Sequence, residues 1–245
     1  MEIRVQYTNG IFVAKDDEWG CSVTLSRFTR NPQRVVYDAL HTCHEEFGMT
    51  EMSEERAGEV VVNRLLNGNK GHYSCLEFPH IVLGVKGYSI SAIAQARTHR
   101  HLSFAVRSYR LPIDKVDNPK ARDYFLYRKP GAHKTRDGIY RSTEEDYEAT
   151  TSYLKETLAL YWQRIEDGLP AEHARELLPS CTRQDMQIGG NLRAFLHFLD
   201  LRLKANAQFE ITHMSQCIYE LLSRWCPQIM QWYKDHRLNK GLLAP

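Results

Sequence analysis

The chain lacks the long apolar runs and cysteine pairs that define several large protein classes. No stretch of the 245 residues approaches the about 20 apolar residues that a membrane span needs, and residues 1–5 contain no apolar signal region. The six cysteines are scattered, with no Cys-x-x-Cys pair, which indicates reduced thiols rather than a disulfide framework. We therefore expect a cytoplasmic protein with no membrane partner.

Glycine-rich nucleotide-binding loops are also absent from the sequence, in both the Gly-x-Gly-x-x-Gly and the Walker form. A dinucleotide cofactor would therefore have to be held by arginines and helix ends. The net charge of only +2 argues against a molecule that binds nucleic acid over its whole surface. The stretch His41-Thr42-Cys43-His44 lacks a second pair of ligands at zinc spacing, so we expect no metal.

The composition is that of an ordinary globular protein, with 42% hydrophobic and 25% charged residues. We find no internal repeat and no low-complexity linker, and we therefore predict one α+β domain over residues 1–245. Apolar periodicity and capping signals predict the elements of this domain. Strands are predicted over 2–7, 22–27, 80–88 and 184–189, and helices over 32–46, 53–66, 89–99, 143–165, 170–178, 190–204, 207–224 and 227–236. The polar segment 111–142 is predicted to be a long excursion over the site or a partly ordered loop.

The segment 95–110 concentrates four arginines, two histidines and two serines in a chain of low net charge. The guanidinium group of arginine is permanently charged, and the geometry of its N–H donors matches the oxygens of phosphates and carboxylates. The segment therefore indicates a pocket for an anionic, ring-bearing ligand, and the alternative from composition alone is a solvated basic helix face.

The spacing of His99-Arg100, Ser103 and Ser108-x-Arg110 resembles the signature of the flavin-dependent thymidylate synthases. Residues 71–77, Gly-His-Tyr-Ser-Cys-Leu-Glu, resemble a second motif of that family. Two further blocks, over 172–179 and 191–211, follow in the family's order, and the C-terminal tail is similar to the cyanobacterial-type branch. The resemblance thus covers most of the chain.

The resemblance implies an enzyme that methylates C5 of dUMP reductively to give dTMP. Methylenetetrahydrofolate would donate the carbon, and FAD reduced by NADPH would be the redox cofactor. No enzyme–pyrimidine covalent bond is implied, which agrees with the absence of a Gly-x-Ser-x-Gly elbow around Ser108. The implied fold is α+β, with a mixed or antiparallel sheet flanked by a helix-rich C-terminal half. The implied assembly is a homotetramer with active sites at its subunit interfaces.

The resemblance also implies roles for individual residues, with Arg202 as the catalytic one because its charge would stabilise the activated pyrimidine ring. The implied dUMP-binding residues are Gln95, Thr98, Ser108, Arg110, Arg175 and Arg202. The implied FAD-binding residues are His72, Ser74, Thr98, His99, Arg100, Asn191, Arg193 and His197, of which the last three would come from a neighbouring subunit.

Alternatives remain open at this stage. Arg175 and Arg202 lie among apolar neighbours, and each could instead pair with an internal carboxylate of Glu172, Asp200 or Glu210.

The positions of Ala105 and Val106 depart from a frequent Asn-Glu pair of the family, so UMP or dCMP is an alternative substrate for the same chemistry. A third hypothesis is a nucleic-acid-binding module that uses the basic segment and binds with steep salt dependence.

Overall fold

The computed structural model describes residues 2–42, 51–68, 71–113, 120–135, 137–204 and 206–240. The strands are β1 (Arg4–Thr8), β2 (Ile11–Asp16), β3 (Cys21–Phe28), β4 (His80–Ser89), β5 (Ser103–Val106), β6 (Gly131–Thr135), β7 (Gly138–Ser142) and β8 (Arg183–Asn191). The helices are α1 (Pro32–Thr42), α2 (Glu54–Val61), α3 (Ile90–Ala96), α4 (Ala121–Tyr124), α5 (Glu144–Glu166), α6 (Ala171–Ala174), α7 (Leu192–Arg202), α8 (Phe209–Trp225) and α9 (Pro227–His236). Short 3-10 turns cover Tyr73–Glu77 and Arg175–Leu177, and a π turn covers Val62–Leu66.

The main sheet is antiparallel, in the order β1-β2-β3-β4-β8-β5, while β6 and β7 form a separate hairpin. The central strands β4 and β8 pair from His80 opposite Asn191 to Ser89 opposite Arg183. The prediction of an α+β fold with a mixed or antiparallel sheet is confirmed, and the sheet is antiparallel. The paired length of β4 and β8 defines two ends of the sheet, one at His80 and Asn191 and the other at Ser89 and Arg183.

One face of the sheet forms the main core. Alternate side chains of β3 and β4, such as Leu25, Leu83 and Val85, are at most 1% exposed. They belong to one buried cluster with residues of α8 such as Ile211 and Ile218. This packing fixes α7, which precedes α8 in the chain, against the same core.

A second, smaller cluster lies under α5. Its members are Ala121, Tyr124, Phe125, Tyr127, Leu154 and Leu158. The prediction for 111–142 is therefore corrected in part: α4 and the β6–β7 hairpin lie within this segment, and residues 114–119 and 136 lie outside the described residues. Apolar side chains of α4 and α5 order the segment by packing against each other.

Several predicted boundaries are wrong. The helix predicted over 89–99 ends at Ala96, so His99 lies in the following turn rather than on a helical face. The helix predicted over 170–178 is the single turn α6 followed by a 3-10 turn.

Other predictions were incomplete. Strands β2 and β5, and the hairpin strands β6 and β7, were not predicted. The end of the helix predicted over 32–46, and Cys43 and His44 of the rejected zinc motif, lie outside the described residues.

Among the described residues, no helix has both the length and the apolar character needed to cross a membrane.

Candidate active site

Arg202 occupies the C-terminal end of α7, where it meets the turn that follows α3. Its Nε donates to Nε2 of His99 at 2.8 Å, and its Nη2 donates to Oγ1 of Thr98 at 2.8 Å and to the carbonyl oxygen of Gln95 at 3.3 Å. These acceptors are all neutral, and burial lowers the pKa of Arg202. The guanidinium charge is therefore positioned by its hydrogen bonds but not neutralised by them.

His99 is buried behind this guanidinium, with 5% of its surface exposed. Because a guanidinium only donates, Nε2 of His99 must accept, and the ring is neutral with its proton on Nδ1. Burial, the Arg202 charge and the nearby imidazoles of His197 and His101 lower the pKa of His99 to about 4. His99 therefore acts as a fixed acceptor that orients Arg202.

The side chain of Gln95, whose backbone carbonyl accepts from Arg202, carries an unused polar atom. Its Oε1 is buried and accepts no hydrogen bond among the described residues. Leaving a buried acceptor without a donor costs about 1–3 kcal/mol. A ligand N–H group, such as that of a pyrimidine ring, would satisfy this oxygen.

A cavity of about 310 Å³ lies at the other end of α7. It is lined by Glu77, His101, Asn191, Arg193, Ala194 and His197. Asn191 caps the helix by accepting from the backbone N–H of Ala194 at 2.9 Å, and helix N-termini attract phosphate groups. This end of α7, together with the nearby guanidinium and imidazoles, fits an anionic, ring-bearing cofactor such as FAD.

The cavity also contains two residues that the sequence prediction missed. Oε1 of Glu77 accepts from Nη1 of Arg193 at 2.6 Å across the cavity. The ring of His101 lies 6.0 Å from that of His197, nearly at right angles, and His197 in turn lies 5.7 Å from His99. Both residues had a signal, because Glu77 ends the quoted 71–77 motif and His101 follows His99-Arg100.

The remaining predicted residues lie outside this cluster. His72 and Ser74 are exposed around the 3-10 turn that carries Glu77, and Arg100 is exposed in the turn after His99. Oγ of Ser108 accepts from the backbone N–H of Arg110 at 3.2 Å. Within the described ranges, no hydrogen bond joins Ser108, Arg110 or Arg175 to the Arg202 cluster.

Two of the three carboxylates named as possible internal partners, those of Asp200 and Glu210, are used in other contacts. Asp200 pairs with Arg237 at 2.6 Å, and Oε2 of Glu210 accepts from the backbone N–H of Ser89 at 3.2 Å. Arg175 donates to the backbone carbonyl of Glu172 at 2.9 Å, not to its carboxylate. Neither arginine forms the predicted alternative ion pair among the described residues.

Comparisons with known proteins agree with the geometry. The model of the family described as "Thymidylate synthase complementing protein" matches residues 24–228. A relative from Haloarcula marismortui, named a flavin-dependent thymidylate synthase, is 32% identical over 205 residues, which cover 79% of this chain and 82% of the relative. A second relative of the same name from Halobacterium salinarum is 30% identical over 247 residues, covering 91% of this chain and 99% of the relative.

Solved structures support the fold. A UMP/dUMP methylase from Streptomyces cacaoi, bound with 5-Br dUMP, superposes with a TM-score of 0.68 at 19% identity, covering 92% of this chain and 97% of that one. At this identity the likeness concerns the fold alone. The family match over most of the chain carries the assignment, and the chain belongs to the thymidylate synthase complementing protein family, that of the flavin-dependent thymidylate synthases.

Proposed function

We propose that the protein methylates C5 of dUMP reductively to give dTMP, with methylenetetrahydrofolate as carbon donor and FAD as redox cofactor. NADPH is proposed as the reductant of the flavin. Family membership supports this assignment. The structural observation that carries it is the Arg202 guanidinium, which is partly buried and held by neutral acceptors of His99, Thr98 and Gln95.

Arg202 is proposed to bind the pyrimidine and to stabilise the negative charge that develops on it. A preorganised cation at a developing charge lowers the barrier because it needs no reorganisation during the reaction. Thr98 and His99 hold the guanidinium plane by two of its donors. The Gln95 side chain is proposed to accept a hydrogen bond from the base.

When bound, FAD would carry reducing equivalents from NADPH to the one-carbon unit. Asn191, Arg193 and His197 are proposed to hold it at the N-terminal end of α7. Five further residues complete the proposed set, around the turns that border the Arg202 cluster and the cavity: His99, Arg100, Thr98, His72 and Ser74. The role of these side chains is to bind and orient the cofactor.

The protein is proposed to act as a homotetramer in the cytoplasm, with active sites at its subunit interfaces. Three residues with proposed nucleotide contacts support this, because within the described ranges they form no hydrogen bond with the Arg202 cluster of the same chain: Ser108, Arg110 and Arg175. In a shared site they would contact the nucleotide held by the Arg202 of another copy. No nucleic-acid partner is proposed.

The purified protein tests the assignment directly. We would record its visible spectrum, reduce bound flavin anaerobically with NADPH, and add methylenetetrahydrofolate with dUMP, UMP or dCMP in separate reactions. We expect a yellow protein whose flavin is bleached by NADPH, and a product from dUMP that is heavier by one CH₂ group.

The same experiment contains its controls. Omitting the folate should leave dUMP unchanged. Methylation of UMP or dCMP in preference to dUMP would establish the alternative substrate, and the absence of flavin binding after addition of FAD would contradict the proposal.

A further inference from the structure

The C-terminal end of α7 is held from two sides. On one side, Arg202 contacts the end of α3 and the turn after it through the neutral acceptors described above. Successive residues of an α-helix are rotated by about 100°, so Asp200 extends from nearly the opposite side of α7. There its Oδ2 accepts from Nη2 of Arg237 at 2.6 Å. The contacts on the two sides together fix the rotation of this helix end.

The Asp200–Arg237 pair is almost completely buried. The side chain of Asp200 is 3% exposed and that of Arg237 is 5% exposed. Burial and the charge of Asp200 also raise the pKa of the neighbouring Tyr233 hydroxyl. A second cavity, next to the pair, measures about 10 Å³, which is room for about one water molecule and not for a larger ligand. The role of the pair therefore lies in the arrangement of the helices.

Net stabilisation does not account for this pair. The cost of removing two charges from water is of the same order as their attraction, and apolar residues can often replace a buried pair without loss of stability. Asp200 also lies in the last turn of α7, where the helix dipole disfavours a negative charge. A buried pair can instead supply geometric specificity, because an arrangement that separates the two charges leaves each of them buried alone.

Arg237 is presented by a helix that is anchored along its length. At the start of α9, Oε1 of Gln33 in α1 accepts from the backbone N–H groups of Gln228 and Ile229 at 3.0 and 3.2 Å. At its end, Arg237 is the C-cap residue and donates its backbone N–H to the carbonyl of Tyr233 at 2.9 Å. The inner face of α9 is formed by buried residues: Ile229, Met230, Trp232 and Tyr233. α9 is therefore a firm support from which Arg237 holds α7.

We infer that Asp200 and Arg237 form a positioning pair, which holds the end of α7 so that the Arg202 guanidinium meets His99 and Thr98. The inference rests on the proposed function only for its consequence in catalysis. The acceptors around Arg202 are neutral, and they hold a guanidinium less strongly than a carboxylate would. Without the pair, we expect the end of α7 to turn and the guanidinium to leave His99.

A double variant that replaces the pair by apolar residues tests this positioning without leaving one charge buried alone. We expect Asp200→Leu with Arg237→Met to unfold at the urea midpoint of the wild type. It should also bind FAD like the wild type, because the first cavity lies at the other end of α7. Its kcat/KM for dUMP should fall about 10- to 100-fold, because a displacement of about 1 Å misaligns a catalytic group.

The pKa of His99 reports the contact with Arg202 independently of enzyme activity. Burial and then the charge of Arg202 lower this pKa to about 4, so loss of the contact should raise it towards the ordinary value of about 6.5. NMR titration of ¹³C-labelled histidine measures it, with the signal identified by its absence from His99→Gln. We expect a rise in the double variant, and a rise at least as large in Arg202→Ala.

Two control variants separate positioning from other effects. Leu154→Ala removes buried methyl groups from the cluster under α5, so it should lower stability and leave the pKa of His99 unchanged. Arg141→Ala removes an exposed arginine of β7 and is matched to Arg202→Ala; it should also leave this pKa unchanged. If the double variant does not fold, Asp200→Asn takes its place. Asp200→Asn keeps the shape of the side chain but loses its charge, so the rise should be smaller.

The titration and the kinetics test the pair and the proposed function separately. A wild-type pKa of His99 in the folded double variant, or in Asp200→Asn where the double variant does not fold, would overturn the positioning pair. A raised pKa with an unchanged kcat/KM would support the pair and contradict the role of Arg202 in the proposed reaction. If the wild-type enzyme forms no dTMP, the proposed function is contradicted, and the titration still tests the pair.

Discussion

At the scale of the residue, the proposed chemistry depends most on Arg202. The side chain of Arg202 is partly buried, yet its hydrogen-bond partners are an imidazole, a hydroxyl and a carbonyl rather than a carboxylate. Burying a charge without a counterion is unfavourable in the free protein. The arrangement is therefore expected where a ligand supplies the missing negative charge.

Replacing Arg202 by alanine should lower dTMP formation by at least about 100-fold, because the preorganised charge is lost from the proposed site. Flavin binding should largely remain, since the cavity at Asn191 lies at the other end of α7. Product analysis by mass and the visible flavin spectrum measure the two effects. Arg141→Ala is the control, and full activity of Arg202→Ala would refute the role given to this residue.

The depressed pKa of His99 predicts a loss of stability in acid. An ordinary histidine has a pKa near 6.5, whereas His99 in the folded protein has a pKa of about 4. Between these values the unfolded chain binds more protons than the folded one, so the free energy of unfolding falls as the pH decreases. From pH 7.5 to pH 5 this group alone should remove about 2 kcal/mol.

Urea unfolding of the wild type and of His99→Gln at both pH values measures this contribution. The variant should lose less stability on acidification than the wild type. His173→Gln, at an exposed histidine, should retain the wild-type dependence. An equal pH dependence in His99→Gln and in the wild type would show that His99 is not held neutral by its surroundings.

At the scale of the element, helix α7 connects the two halves of the proposed site. It begins at the cap residue Asn191 in the first cavity and ends at Arg202. Its inner face is formed by buried residues such as Leu192, Phe195 and Leu199. Packing of this face determines where both functional ends of the helix lie.

Removing the cap should therefore affect stability and cofactor binding together. Asn191→Ala deletes the acceptor for the Ala194 N–H and should lower the free energy of unfolding by about 1 kcal/mol. It should also weaken FAD binding, measured by flavin fluorescence. Asn191→Ser keeps a capping oxygen and should recover the stability; if it is as unstable as Asn191→Ala, capping is not the reason for the loss.

Long elements with regular apolar spacing could be predicted from sequence, and short ones could not. The strand over 80–88 and the helices over 143–165 and 207–224 have near-matching counterparts in β4, α5 and α8. β5 has only four residues, and they lie in a segment interpreted for its charges. β2 had a recognisable sequence signal, the dipeptide Asn9-Gly10, which is typical of a two-residue hairpin turn. In the structure both residues have the positive φ angles that this turn needs, 52° and 79°.

The contacts of the site were less accessible to sequence reasoning than its residue types. The resemblance named Gln95, Thr98, His99 and Arg202, which the structure brings together. The hydrogen bond from Arg202 to His99 joins residues 103 positions apart, and no local spacing encodes it.

At the scale of the whole molecule, we propose that two copies of the chain share the site. Arg202 and Gln95 stand together, whereas Ser108 and Arg110 bond to each other at the far end of β5. If each active site takes residues from two chains, two variants with different defects should complement one another.

The assignment of residues 1–245 to one domain stays a prediction.

Mixing Arg202→Ala with Arg110→Ala protein, unfolded together and refolded, should restore part of the dTMP synthesis, because some mixed assemblies contain a site with both arginines intact. Light scattering should give the mass of a tetramer. Each variant refolded alone is the control. Activity of the mixture no higher than that of the separate variants would contradict shared sites.

The length of helix α7 also fixes the distance between the two parts of the proposed site. Its 11 residues set the span between the cofactor end and the pyrimidine end at about 16 Å, and a well-packed helix does not stretch. Inserting one residue would turn Arg202 by about 100° around the helix axis and away from Thr98 and His99. We therefore expect that a change in the length of this helix would disrupt the site even where every side chain of the helix is kept.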